Sequence, residues 1–94
     1  MTEDMKAQLS ELKCLYVKKK RPKHIMICAI EEMSELTKVL TKYMRKSSKF
    51  TQENLVEEIS HALLLIDLLQ DKFGITAESI QEEQLSAMKR AFKL

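Results

Sequence analysis

The chain has 94 residues, with 16 Lys and Arg against 14 Asp and Glu, and therefore a net charge of +2. This length predicts one domain, residues 1–94, whose core is marginal unless a partner completes it. One glycine and one proline nearly exclude an all-β fold, which needs turn residues at frequent intervals. The apolar content of 45% and the small net charge exclude an intrinsically disordered chain. A small helical domain remains.

Charge and cysteine content limit the partners. A protein that binds mainly nucleic-acid backbone carries a larger basic excess, and the one basic patch, Lys18–Lys23, is either a solvated turn or a phosphate-binding segment. Cys14 and Cys28 form no CxxC pair, and with His24 and His61 they show no zinc-like spacing. No apolar run is long enough for a signal peptide or a membrane span. We expect a cytoplasmic protein without a membrane or nucleic-acid partner.

Start and stop signals predict two helices in the first half of the chain. Thr2 is a suitable N-cap for a helix that runs to about Val17. Pro22 suits the first position of a second helix, which continues without interruption to about Arg45. Polar residues at 47–49 then predict a loop.

Two further helices are predicted in the second half. Thr51 or Asn54 caps a third helix, which ends at Phe73. Gly74 follows at the position where a left-handed residue commonly ends a helix. Thr76 caps a fourth helix that runs to about Phe92. Short connections make the long second and third helices antiparallel neighbours in an all-α bundle.

Both long helices place acidic residues within an apolar face when turned at about 100° per residue. The apolar arc of the second helix comprises Ile25, Cys28, Ala29, Met33, Leu36, Val39, Leu40 and Tyr43. That of the third comprises Leu55, Ile59, Ala62, Leu65, Ile66, Leu69 and Phe73. Glu32 falls inside the first arc and Glu35 at its edge. Glu58 falls inside the second, with His61 at the margin.

An ionised carboxylate that faces a core costs several kcal/mol unless it is paired or binds a metal. Packing the two helices together would bring Glu32, Glu35 and Glu58 near one another, where like charges repel. No basic residue lies in either arc, although one from another helix could form an internal salt bridge. We therefore favour a metal site, and oxygen ligands indicate Mg²⁺ or Mn²⁺.

These residues also resemble a known family. Residues 31–36 (EEMSEL) followed by residues 58–61 (EISH) are similar to the EExxE…ExxD pattern of MazG-like nucleotide pyrophosphohydrolases, within the all-α NTP pyrophosphatase superfamily. The resemblance covers a little over half of the chain, from His24 to Ile75. It implies a helical fold whose core is completed in a homodimer or homotetramer.

The resemblance implies the site residues and the reaction. Glu32, Glu35 and Glu58 would ligate Mg²⁺, and Glu31 would support them or orient water. The ion would hold a nucleoside triphosphate while water attacks, releasing a nucleoside monophosphate and pyrophosphate. Basic residues near the end of the fourth helix, Lys89 and Arg90, would meet the phosphates or simply stabilise the end of the helix.

His61 departs from the family pattern, which has Asp at this position. Imidazole is a poor ligand for Mg²⁺ but suits Mn²⁺, Zn²⁺, Ni²⁺ or Co²⁺. Three outcomes are open: the site uses three carboxylates and water, it prefers another metal, or turnover is lost. The alternative to a ligand role is that His61 is an edge-of-core residue paired with Glu57. Two alternatives to the enzyme stay open: a nucleotide- or metal-binding protein of this fold without turnover, and an unrelated helical interaction module.

Overall fold

The computed structural model describes residues Met1–Leu94 and contains four helices and no strand, which confirms the all-α prediction. The helices are α1 (Glu3–Lys19), α2 (Pro22–Met44), α3 (Gln52–Lys72) and α4 (Ala77–Ala91). With Thr51 as the cap of the third helix, the predicted ends all lie within two residues of these bounds; the alternative cap, Asn54, lies inside α3. No helix combines the length and apolar character needed to cross a membrane.

Threonine side chains begin three of the four helices. Thr2, Thr51 and Thr76 each accept, through Oγ1, a hydrogen bond of 3.0–3.1 Å from the backbone N–H three residues later. Such a cap contributes about 1 kcal/mol to helix stability. Pro22 begins α2 instead, since its fixed φ suits the first turn and its missing N–H would have no partner there.

Left-handed residues end the two central helices. Gly74 has φ +65° after α3, as predicted. After α2 the same conformation is taken by Lys46, with φ +57°, and the backbone N–H of Ser47 donates to the carbonyl of Lys42 at 2.9 Å. A residue with a side chain in this region costs roughly 1 kcal/mol or more, and only glycine, asparagine and aspartate adopt it routinely. A lysine at this position therefore does not predict the turn. The backbone hydrogen bond compensates for part of that cost.

The helix pair α2–α3 is the main packing unit and is antiparallel. Ile25, near the start of α2, clusters with Leu68 near the end of α3, whereas Glu32 in the middle of α2 meets His61 in the middle of α3. Six residues are buried, and they lie along this interface: Ile25, Ala29, Val39, Ala62, Leu65 and Leu68. The core is therefore narrow.

Helix α1 lies against α3 through an ion pair, a hydrogen bond and two packed side chains. Lys13 Nζ lies 2.7 Å from Asp67 Oδ2, and Lys72 Nζ donates to the carbonyl oxygen of Val17 at 2.7 Å. Tyr16 and Val17 pack against the core cluster. Helix α4 packs against none of the other three helices and has no buried residue.

The predicted apolar arcs are wider than the buried surface. The arcs predict a core position for Leu40, Tyr43 and Phe73, but all three are exposed. Leu68 lies outside the predicted arc of the third helix and is buried. The reason is that α2 and α3 touch only along one line, and α1 covers one side of it. Residues at the far edges of both arcs meet no third layer within the single chain.

Replacing Ile25 with Val tests this narrow core. Ile25 is 0% exposed, so Ile25→Val should lower the free energy of unfolding by about 1 kcal/mol, measured by urea denaturation. Ile27, two residues away on the same helix, is 47% exposed, and Ile27→Val is the matched control with little expected effect. Equal losses in the two variants would contradict the described burial of α2.

Candidate metal centre

Glu32, Glu58 and His61 form the candidate site. Glu32 lies on α2, and Glu58 and His61 lie one turn apart on α3, so the antiparallel interface brings the three side chains to the same level. One ligand atom from each side chain lies within 4.8 Å of the others. The sequence pattern predicted that Glu32, Glu35 and Glu58 would lie near one another, with His61 at the margin of the face.

An ion-pair contact links the two helices at this level. His61 Nδ1 lies 3.5 Å from Glu32 Oε2, and the imidazole is charged only when it is protonated. The side chains of Glu32 and His61 are 30% and 48% exposed, so water and small solutes reach this side of the group. His61 meets Glu32 across the interface and forms no ion pair with Glu57 on its own helix.

Glu58 has a carboxylate oxygen whose hydrogen-bonding capacity is not used. Its Oε2 is buried and accepts no hydrogen bond. Neither Glu58 nor Glu32 forms an ion pair with a lysine or arginine, so the internal salt bridge that the sequence left open is not formed. A buried acceptor without a partner costs about 1–3 kcal/mol. A cation at this position would remove that cost.

Other predicted site residues lie outside the group. Glu35 is 52% exposed and pairs with Lys38 on its own helix, Oε1 to Nζ at 3.1 Å. Glu31 is exposed. Lys89 and Arg90 lie on α4, which does not pack on the other helices, so the single chain does not bring them to the carboxylates.

Two grooves that the sequence did not predict adjoin the group. One, of about 410 Å³, lies between α1 and the α2–α3 pair, and is lined mainly by leucines together with Glu32. The other, of about 580 Å³, runs along α1 and α3 beside His61. Lys13 lines both grooves, although it is now paired with Asp67. No sequence pattern predicts that Lys13 lines the grooves, because its position depends on how α1 lies on α3.

The donor set is suited to a divalent cation. Two carboxylates supply hard oxygen ligands, and the imidazole supplies a nitrogen that Mn²⁺ and later transition metals accept more readily than Mg²⁺ does. Glu58 belongs to this set through one carboxylate oxygen, and its Oε2 is buried without a hydrogen-bond partner. The residues therefore fit a divalent metal held by Glu32, Glu58 and His61.

Replacing Glu58 with Gln separates charge repulsion from metal binding. In metal-free buffer Glu58→Gln should raise the free energy of unfolding by about 1 kcal/mol, because the amide is neutral and carries a donor that can meet Glu32. With Mn²⁺ at about 100 times its Kd, the wild-type protein should gain about 2.7 kcal/mol and become the more stable form. Chemical denaturation with and without Mn²⁺ measures both effects.

The control for this experiment is Glu57→Gln, at the exposed neighbouring position. It should change neither the metal-free stability nor the gain with Mn²⁺. An equal gain with Mn²⁺ in wild type and in Glu58→Gln would exclude Glu58 as a ligand.

Comparison of the chain with family models, with curated proteins and with solved structures gives no match. The resemblance to MazG-like enzymes therefore stays a prediction from the sequence pattern.

Proposed function

We propose that this protein is a metal-dependent nucleoside triphosphate pyrophosphohydrolase of the MazG-like type. It would convert an NTP or dNTP and water into the nucleoside monophosphate and pyrophosphate. The observation that carries the proposal is the meeting of Glu32, Glu58 and His61, whose ligand atoms lie within 4.8 Å of one another, together with a Glu58 carboxylate that has a buried oxygen without a hydrogen-bond partner. The same residues stand in the sequence pattern that resembles the family.

Each residue of the group has a defined part in this proposal. Glu32 and Glu58 would hold a divalent ion through oxygen, and His61 would supply nitrogen in place of the family's Asp. When bound, Mn²⁺ or Mg²⁺ neutralises phosphate oxygens and makes water a better nucleophile. The exposed side of Glu32 and His61 leaves room for the phosphate chain.

The grooves beside the group would bind the rest of the nucleotide. The leucine-lined groove next to Glu32 offers an apolar surface to the base. Lys13 is the cation placed to meet phosphate charge, since it lines both grooves and is held by one ion pair with Asp67. Lys89 and Arg90 would take part only if α4 of another subunit brought them there.

The test is pyrophosphate release from a panel of NTPs and dNTPs with purified full-length protein and Mg²⁺ or Mn²⁺. We expect turnover of at least one nucleotide, faster with Mn²⁺ because His61 supplies nitrogen. Glu58→Gln should lower kcat/KM by a factor of about 100 or more, whereas Glu57→Gln should leave it unchanged. If no nucleotide is cleaved with either metal, the protein is not an enzyme of this type.

A second function, nucleotide or metal binding without turnover, is favoured by the pairing of Glu35 with Lys38. This pair removes one expected ligand, in addition to the replacement of Asp by His61. In that case wild type would bind Mn²⁺ and nucleotide without releasing pyrophosphate, and His61→Asp would gain turnover. A His61→Asp variant that binds metal but stays inert would argue against a simple repair of the site.

We also propose that the working form is a homodimer or homotetramer. Leu85, Met88 and Phe92 are exposed on one side of α4, at helical spacing, and α4 has no partner in the single chain. Exposed Leu40 and Tyr43 on α2 belong to an apolar arc that is only partly covered. A contiguous apolar surface of this kind is typical of a protein–protein interface.

Light scattering after size-exclusion chromatography measures the assembly directly. We expect a mass of two or four chains, reduced in Met88→Glu because a charge would be buried in the interface. Ala87→Glu places the same charge on another side of α4 and should keep the wild-type mass. A monomer at all concentrations would contradict this part of the proposal.

A further inference from the structure

A second group of side chains, which includes two metal-ligating residues, lies where α1 meets the start of α2, and its Tyr16 and Cys28 line the leucine-lined groove beside Glu32. His24 and Cys28 are one turn apart on α2, and Tyr16 reaches them from α1. His24 Nε2 lies 3.6 Å from Cys28 Sγ and 3.0 Å from the Tyr16 hydroxyl, and that hydroxyl donates to Cys28 Sγ at 3.8 Å. These three distances place the sulfur, the ring nitrogen and the hydroxyl in one hydrogen-bonded cluster.

We propose that Cys28 and His24 bind a soft divalent cation of the zinc class. In a tetrahedral zinc site, bonds of about 2.3 Å to sulfur and about 2.1 Å to nitrogen place these two atoms about 3.6 Å apart. Cys28 Sγ and His24 Nε2 already have this separation, so little rearrangement is needed. A thiolate with an imidazole favours zinc and its neighbours over Mg²⁺.

The three side chains differ in their access to solvent. His24 is exposed, whereas Tyr16 and Cys28 are half-buried and pack against the core cluster of Ile25 and Leu65. The sulfur is therefore held in place, and the imidazole side is open for an ion to enter. Because the pair supplies two ligands, two water molecules would complete a tetrahedral coordination.

Tyr16 is a positioning residue in this site. The Tyr16 hydroxyl donates a hydrogen bond to Cys28 Sγ at 3.8 Å and so orients the sulfur. Metal binding needs only that the Cys28 thiol release its proton to solvent while Sγ donates an electron pair to the ion, without oxidation or reduction.

This site differs from the carboxylate group in its chemistry. Its donors are sulfur and nitrogen, whereas Glu32 and Glu58 offer oxygen. The proposal does not depend on pyrophosphohydrolase activity. The sequence shows no zinc motif because the pair supplies only two ligands, and the hydrogen bond from Tyr16 depends on the packing of α1.

Titration of the full-length, reduced protein with Co²⁺ tests the proposal, because cobalt bound to a thiolate produces a charge-transfer band in the near ultraviolet. We expect a band that reaches saturation, is displaced by Zn²⁺ and is not displaced by excess Mg²⁺. Cys28→Ser should abolish the band. Cys14→Ser, which removes the other, exposed cysteine, should leave it unchanged.

Further variants keep the test decisive if Cys28→Ser folds poorly, which far-ultraviolet circular dichroism would show. His24→Ala changes an exposed residue and should weaken cobalt binding at least tenfold. Tyr16→Phe should keep the band but move it to longer wavelength, because the sulfur loses a hydrogen bond. Glu58→Gln should leave the band intact, which separates the two sites.

Two results would overturn the proposal. One is the absence of a charge-transfer band in wild-type protein, which would make Tyr16, His24 and Cys28 a hydrogen-bonded cluster only. The other is a band that survives in a folded Cys28→Ser variant or is lost in Cys14→Ser.

Discussion

The antiparallel contact between α2 and α3 is the constraint on which the rest of the structure depends. Ala29 and Ala62 are among the few buried residues at this contact, and side chains of this size let the two helix backbones approach closely. The same register that buries Ile25 and Leu68 places Glu32 opposite His61. Core and candidate site therefore cannot be changed independently, since a shift of one turn would separate the carboxylates.

A cost is visible at this contact. The buried Glu58 Oε2 has no hydrogen-bond partner, and the like charge of Glu32 is close by. A core with so few buried residues gives a small free energy of unfolding, because a short chain buries a modest share of its surface. A cation between the carboxylates would turn a local loss of stability into a gain, which couples metal binding to the stability of the fold.

The two proposed cation sites lie on the same helix and differ in their donor atoms. Glu32 belongs to an oxygen-rich group in the middle of α2, and His24 and Cys28 form a sulfur–nitrogen pair at its start. Hard and soft cations are separated by such donor sets. Helix α2 would thus supply ligands to two ions of different chemistry, and a neighbouring helix would contribute a side chain to each site.

Local chemistry in the sequence was enough to determine the helices and to single out Glu32, Glu58 and His61. Threonine caps, Pro22 and Gly74 act within a few residues, and helical periodicity shows which side chains share a face. The tertiary structure alone decided that Glu35 pairs with Lys38, that Lys13 lines both grooves, and that Tyr16 meets Cys28. Periodicity assigns a direction around one helix axis, whereas these contacts depend on how far each helix is covered by its neighbours.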